Sequence, residues 1–273
     1  MTNIFEGKTV IITGASAGVG RACAESFADL KANLVLVARG EKALSLAAME
    51  LGVKTGVLSV AMDVADTAAC IDLMAKAEAE FGRIDVLINN AGMHARGDVE
   101  TKTPTEIAAM VDVNLRSPLV LSSAVIPYMR KVGGGAIVNV GSLAGRAPLQ
   151  GASTYCATKA GLRAFTYALA DEIQDSGIKI GVVSPGPIDT GFIMDEIDLV
   201  EDIVFSQPMS TAQQVADAII ELATEDTVEI SMPAFSGKLT TLSYLFPSLR
   251  KKLRNKLYEQ GRKNKDKYRQ RNG

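Results

Sequence analysis

A tyrosine and a lysine four residues apart, Tyr155 and Lys159, follow a serine, Ser142, that stands just after the apolar run Ala136–Val140. On a helix that spacing puts Tyr155 and Lys159 on one face. A free phenol, with a pKa of about 10, is a poor base at neutral pH, and a neighbouring ammonium favours its phenolate. Tyr155 is then placed to pass a proton to or from a substrate oxygen that the Ser142 hydroxyl holds by a hydrogen bond. By itself the pair says little, since any exposed helix can carry Tyr-x-x-x-Lys as two solvated side chains. The reading depends on the elements that would position it.

Those elements alternate. Lys8–Ile12 is a β-rich run ending in Thr13-Gly14-Ala-Ser16-Ala-Gly18-Val19-Gly20, and an amphipathic pattern from Arg21 to Leu30 follows at once. Strand, glycine turn and helix together let backbone approach a diphosphate, with free N–H groups and the positive dipole end facing it. The spacing is Gly-x-x-x-Gly-x-Gly, and a plain tight turn is the alternative. The next strand, Asn33–Ala38, ends at Arg39 with no acid at its tip. An acid there would accept from an adenosine ribose, whereas an arginine pairs with a 2′-phosphate, so the tip favours NADP over NAD unless Arg39 is only a surface residue. A third strand, Val57–Met62, ends at Asp63-Val64; Asp66 or Thr67 can cap the following helix, leaving Asp63 for an adenine ring. After Ile84–Ile88 come Asn89-Asn90-Ala91-Gly92, small and amide residues suited to a flat ligand lying on backbone.

Thr103-Pro104-Thr-Glu106 is a capping box with proline in the first turn, opening a long helix towards Arg130. Asn114 lies inside it, and Pro118 is expected to kink it shortly afterwards. Such an asparagine satisfies freed backbone or a buried water. The Tyr155 helix is expected to end near Gly177, before a strand Ile178–Val183 and a stiff Pro185-Gly186-Pro187-Ile188-Asp189-Thr190 turn over the reactive end of a cofactor. Gly191–Met209 lacks periodicity and reads as a lid or substrate loop. Thr211–Ala223 is helical and Val228–Met232 is a last strand. The pattern predicts a single doubly wound Rossmann-type α/β domain, a central parallel sheet flanked by helices, with ligands at the strands' C-terminal ends. The domain spans 1–246, and 247–273 is a basic C-terminal helix and tail.

Composition narrows the class. The 273 residues are 47% hydrophobic and 5% aromatic, which suits a globular chain rather than a disordered one. Cys23, Cys70 and Cys156 have neither disulfide nor zinc spacing, and one histidine, His94, leaves no metal cluster to expect. No signal segment and no apolar run long enough to span a bilayer is read, so a cytoplasmic location is expected.

Taken in order, Thr13-Gly-x-x-x-Gly-x-Gly20, Asp63, Asn89-Asn-Ala-Gly92, Asn114, Ser142, Tyr155-x-x-x-Lys159 and Pro185-Gly186 resemble the short-chain dehydrogenase/reductase family from about Gly7 to Met232. The resemblance implies a nicotinamide cofactor and a catalytic set of Asn114, Ser142, Tyr155 and Lys159. Tyr155 would be the acid/base, Ser142 would orient the substrate oxygen, Lys159 would bind the nicotinamide ribose and depress the phenol's pKa, and Asn114 would hold a relay water. The cofactor would meet Gly14, Ser16, Gly18, Val19 and Gly20 at its diphosphate. Arg39, Asp63 and Val64 would face its adenosine, and Asn90, Ala91, Gly92, Tyr155, Lys159, Pro185, Gly186, Ile188 and Thr190 the rest. Relatives with arginine at Arg39 tend towards NADP, with NAD the alternative; Ala17 stands where the family often has a second basic residue. A homo-oligomer, tetramer or dimer, is implied through the helices carrying Asn114 and Tyr155.

The expected substrate is a small-molecule ketone, aldehyde or alcohol with an apolar or lipid-like body. Met93, His94, Leu143, Leu149, Gln150, Ile188, Phe192 and Met194 are the pocket candidates, with His94 read as a rim residue. A rival reading is a non-catalytic dinucleotide-binding sensor or scaffold working through its tail. From Arg250 to Gly273 there are eleven Lys/Arg and two acids, against eighteen and twenty-nine in the remainder. Leu249, Leu253 and Leu257 would share one side of a helix starting near Pro247. That helix packs on its own domain or a partner, lies on a membrane surface, or touches nucleic acid, which is not expected. Residues beyond Gly261 are expected to be disordered.

Overall fold

A computed structural model describes residues 3–272. Its centre is a seven-stranded parallel sheet, built from β1 (Thr9–Thr13), β2 (Asn33–Ala38), β3 (Val57–Ala61), β4 (Val86–Asn89), β5 (Gly135–Val140), β6 (Ile178–Pro185) and β9 (Glu229–Met232), ordered β3-β2-β1-β4-β5-β6-β9. A two-residue ladder of β7 (Ile188–Asp189) and β8 (Ser210–Thr211) stands apart from it. The inner strands are continuously apolar because helices cover both faces, the condition under which strand alternation disappears. In β1 all five residues are buried. Alternate side chains enter opposite cores: Val10, Ile12, Leu34 and Leu36 meet α1 (Gly18–Asp29), α2 (Glu41–Gly52) and α8 (Ala212–Thr224), while Ile11, Val35 and Val37 meet α3 (Thr67–Phe81), α5 (Ser117–Lys131) and α6 (Ser153–Glu172). The strand order reverses between β1 and β4, and that switch point opens a crevice at the strands' C-terminal ends.

Local chemistry sets the helix ends. Asp66 caps α3 by accepting from the Ala68 and Ala69 N–H groups, and left-handed Gly82 (φ 74°) stops it. Thr103 and Glu106 form the expected capping box at the start of α4 (Pro104–Val111). The long helix, expected to kink at Pro118, continues past it. It widens into a π turn over Asp112–Arg116 and resumes as α5. Pro118 has no N–H for the Asn114 carbonyl, so the ladder slips by one residue in the turn before it. Pro104–Lys131 as a whole is long and apolar enough to cross a membrane, contrary to the sequence reading. Here it is a core helix, with Met110, Asn114, Ser117, Leu121, Ser122, Val125 and Met129 buried. The Tyr155 helix ends at Glu172, five residues before Gly177, which instead serves the following turn at φ 73°.

Beyond the sheet lie α9 (Ala234–Leu245) and α10 (Pro247–Asn272). The helix expected near Pro247 is present, but it continues through Gly261 to Asn272 where disorder was expected. Docking explains the difference. Gly261 lies directly on the Asp202 backbone, and Lys265, buried, donates to the Val200 carbonyl at 2.6 Å and pairs with Asp202 at 3.3 Å. The side chains of Leu249 and Arg250 lie outside those described, so the three-leucine side is not traced in full; Leu253 is exposed and Leu257 half-buried.

Candidate active site

The crevice above β1, β4 and β5 gathers most of the residues singled out by sequence. Gly14 and Gly18 have φ of 68° and 55°, a backbone only glycine adopts freely, and they carry β1 into α1. Ala17, at the N-cap, has no side chain that could cap α1, and its first turn holds no acid. The N–H groups there stay available to an anion, which suits a dinucleotide diphosphate. Ser16 is half-buried in the turn, Val19 and Gly20 are buried, and Gly18 faces Thr190 Cγ2 at 3.6 Å from where a Cβ would sit. The turn after β6 therefore closes over the glycine turn.

Arg39 is exposed at the end of β2 and forms no ion pair with a described residue. Asp63 binds the Ala65 N–H at 2.9 Å through one oxygen, and Asp66 does the capping, as the sequence allowed. Val64 is buried beside it. Asn90 is a brace: its amide donates to the Thr13 carbonyl at 2.9 Å, while the Thr13 hydroxyl accepts from the Asn90 and Ala91 N–H groups at 3.0 Å each. Pro185 ends β6, Gly186 donates to the Met232 carbonyl at 2.7 Å, and Ile188 packs against the core.

Ser142 caps a short turn, Leu143–Gly145, accepting from the Ala144 N–H at 3.1 Å and donating to the Pro185 carbonyl at 3.5 Å. A Cβ on Gly145 would lie 2.7 Å from the Lys159 carbonyl carbon and oxygen, so only glycine lets this turn rest on α6. This sets the Ser142 hydroxyl beside the Tyr155 phenol, near enough to work against the rise of its pKa. Lys159, buried, donates to the Val140 carbonyl at 2.8 Å, and its ammonium lies 5.7 Å from the Tyr155 ring centroid. Asn114 is fully buried on the π turn and clasps the Met93 backbone, accepting from its N–H at 2.8 Å and donating to its carbonyl at 2.7 Å. At Gly92 a Cβ would be 3.4 Å from Asn114 Oδ1 and 3.8 Å from Lys159 Nζ.

The electrostatics differ from expectation. Burial pushes the Tyr155 phenol up; the Ser142 hydrogen bond and the Arg96 charge pull it down without prevailing. The Lys159 ammonium, 5.7 Å from the ring centroid, does not outweigh that burial either. Burial lowers Lys159 itself, to about 8.

Sequence placed His94 at the rim, but its ring stacks on Tyr155, with centroids 4.4 Å apart and planes 15° from parallel. Burial, then the charges of Arg96 and Lys102, bring its pKa down to about 3. Arg96 Nη1 lies 3.0 Å from His94 Nδ1. A guanidinium only donates, so Nδ1 accepts and the neutral ring carries its hydrogen on Nε2. That Nε2 is buried and has no partner among the described residues. Arg96, which sequence reasoning passed over, also pairs with Glu196 at 2.9 Å and lies 5.4 Å from the Phe192 centroid. A lone arginine in an irregular loop gives no spacing signal. Also missed was a buried ladder behind the crevice, in which Asn89 donates to Asn139 at 2.8 Å and Asn139 to Thr166 at 2.9 Å.

Against known proteins, the short chain dehydrogenase family profile matches residues 8–198. The chain is 34% identical to the 3-oxoacyl-[acyl-carrier-protein] reductase of Escherichia coli, across 83% of this chain and 94% of that one. It is also 34% identical to an NADP-dependent 3-hydroxy acid dehydrogenase of Schizosaccharomyces pombe, across 89% of this chain and 94% of that one. Among solved structures, a metagenomic short-chain oxidoreductase in complex with NADP superposes with a TM-score of 0.72 at 28% identity, covering 84% of this chain and 98% of the other. A short-chain type dehydrogenase/reductase from Mycobacterium marinum gives 0.77 at 27% identity, covering 84% and 95%.

Proposed function

We propose, for a chain that belongs to the short-chain dehydrogenase/reductase family of NAD(P)-dependent oxidoreductases, that it interconverts a ketone and a secondary alcohol with NADP(H) as its cofactor. What supports this reading is Asn114 and Lys159 meeting beside Gly92, with the Lys159 ammonium 5.7 Å from the Tyr155 ring centroid and Ser142 acting on the phenol, at the open end of β4 and β5. The nicotinamide, when bound, supplies or accepts the hydride. Ser142 Oγ and Tyr155 Oη would both hold the substrate oxygen, with Tyr155 giving up its proton in reduction and receiving one in oxidation. A phenol held high by burial is protonated at neutral pH, the state that carbonyl reduction requires of an acid. Lys159 would reach a ribose hydroxyl once cofactor approaches Val140. Asn114 would fix the Met93 backbone that forms one wall and hold a relay water.

Arg39 supports NADP over NAD, because an exposed guanidinium without an ion-pair partner among the described residues suits a 2′-phosphate. For the substrate, Phe192 and the stacked His94 favour an apolar body, and the neutral His94 Nε2–H offers a donor to a second oxygen. A 3-oxoacyl or 3-hydroxyacyl compound, the class named for two relatives, meets both conditions. Three unpaired thiols suit a reducing compartment such as the cytoplasm. Val111 on α4 and Tyr167 on α6, both exposed, support self-association of the kind common in the family. A scaffold without catalysis would have no use for a buried lysine beside a reactive phenol.

The test is Tyr155→Phe, assayed with NADPH and a panel of 3-oxoacyl esters and simple ketones. Turnover should fall by about a thousandfold or more, while NADPH binding, followed by its fluorescence, stays within about twofold of wild type. Turnover that survives, or loss of turnover and binding together, would overturn the role given to Tyr155.

A further inference from the structure

Helix α9 is inside out. A surface helix normally buries its apolar side, yet Phe235, Leu239, Leu242 and Phe246, spaced four, three and four residues apart along one side, are 71%, 47%, 42% and 54% exposed. The side that meets the domain is made of Ser236, Gly237, Thr240 and Ser243, buried or half-buried. Arg146, four residues after Ser142, reaches across to Thr241 at 2.8 Å and fastens the helix there. Tyr244, Leu245 and Leu253 are exposed too and enlarge the apolar patch.

The segment that bears the patch carries one sign of charge. From Ile230 to Tyr258 the chain has six Lys/Arg and not one Asp or Glu. Lys238, Lys251, Lys252 and Lys256 are exposed and form no ion pair with a described residue. The chain before Arg250, by contrast, holds twenty-nine acids against eighteen bases. A twofold contact between copies through this patch would set both lysine clusters against each other, an unfavourable pairing. An anionic bilayer has the complementary arrangement, phosphates for the lysines above an apolar layer for the stripe, and it repels the acidic body.

We propose that the corner formed by α9 and the first half of α10 docks on the surface of an anionic phospholipid bilayer. Phe235, Leu239, Leu242 and Phe246 enter the boundary between headgroups and acyl chains, and the lysines reach the phosphates. The Arg146 bridge joins this corner to the Ser142 turn, so a docked molecule would hold its substrate crevice beside the membrane. The docking itself does not rest on the redox reading, and its test reads binding rather than turnover.

Full-length protein is sedimented with phosphatidylcholine vesicles and with vesicles holding about a third phosphatidylserine. Wild type should pellet with the second and remain in solution with the first. Lys251→Gln/Lys252→Gln/Lys256→Gln should weaken that binding on the order of a hundredfold. Phe235→Ser/Leu242→Ser should abolish it. All these side chains are exposed, and unchanged NADPH affinity and thermal midpoint confirm that each variant is folded. Equal pelleting with both vesicle types, or variants that pellet like wild type, would overturn the proposal. So would a serine variant that changes the sedimentation coefficient without lipid while wild type ignores vesicles, which would assign the patch to self-association.

Discussion

The dinucleotide-fold half of this molecule and the segment read as a lid or substrate loop are held by different forces. From Thr9 to Asn89 the chain is fixed by burial: β1 is wholly enclosed, Phe27 and Leu73 are fully buried, and the binding surface is mostly backbone presented by a glycine turn. From Gly191 onward, the lid's own apolar cluster has three buried members, Ile193, Val200 and Phe205. Beside Tyr268 on Phe205 and Asn264 on the Phe205 carbonyl, charge contributes much of the hold, since α10 meets this segment through Arg262 and Lys265 on Asp202, Arg269 on Asp198, and Tyr258 on Glu201. Burial is indifferent to salt, whereas exposed pairs weaken as ionic strength rises. The binding crevice thus has one wall that tolerates no change and another built to be adjusted.

The largest effect is expected where backbone packs on backbone. A Cβ on Gly20 would collide with the Gly14 carbonyl and come within 2.6 Å of Asn90 Nδ2. Gly20→Val should cost ~3 kcal/mol of stability and remove NADPH binding, both read from thermal unfolding with and without cofactor. A variant that binds NADPH as wild type does would break the claim that this wall is rigid.

Next comes Glu229, where charge is used inside the protein. Its buried carboxylate meets Arg146 at 3.1 Å, Arg163 at 2.8 Å, the Ser184 hydroxyl at 2.7 Å and the Tyr167 hydroxyl at 2.8 Å. Burial works to raise its pKa, but the bonds from Arg163, Ser184 and Tyr167 and the charge of Arg146 leave it below the usual value. A carboxylate depressed in the folded state stabilises above its unfolded pKa of about 4.3, and that contribution is lost as pH falls through the folded value. Glu229→Gln should therefore cost ~3 kcal/mol at pH 7 and less in acid, measured by urea unfolding at both pH values. A cost independent of pH would count against the ion-pair account.

Smaller still is the change at Lys265, the buried strut of the lid. Lys265→Met leaves the Val200 carbonyl without its donor, at a local cost of about 1–3 kcal/mol. Hydrogen exchange over residues 197–206 should quicken and KM should rise, with the global midpoint nearly unmoved. Raising salt to about 1 M should loosen the wild-type lid in the same direction, because exposed partners such as Arg262 and Arg269 are screened. A drop in global stability as large as that for Gly20→Val would erase the distinction between the two walls.

This contrast also marks what could be read from the sequence. The alternation of strands and helices, the capping box at Thr103 and the placing of Tyr155 and Lys159 on one helix follow from periodicity and spacing, which depend on neighbours along the chain. The π turn at Asn114 was half legible: Pro118 announced a disturbed ladder but not how the backbone would resolve it. His94 on Tyr155, Arg96 between His94 and Glu196, and Lys265 under the lid were hidden, because each is defined by partners distant along the chain. The tail's charge suggested disorder beyond Gly261. Only the acids at Asp198, Glu201 and Asp202, about sixty residues earlier, show what that charge meets.

The smallest expected effect tests a place where the rigid wall would use an exposed charged side chain. The rest of the dinucleotide would meet N–H groups, small residues, Asp63 and Lys159, at parts that NADP and NAD share. Arg39, exposed at the tip of β2, would meet the 2′-phosphate that separates them. Because the guanidinium is solvated before binding, a charge-assisted hydrogen bond there is worth about 1.5 kcal/mol, or roughly tenfold in affinity. Arg39→Ala should thus raise the NADPH dissociation constant by that factor, leave NADH binding unchanged, and leave the thermal midpoint of the free protein where it was. The NADPH advantage should also shrink with added salt in wild type and not in the variant, since only a charge contact is screened. If NADH binding falls in step with NADPH, Arg39 supports the β2 tip rather than reading the phosphate, and the preference for NADP loses its physical basis.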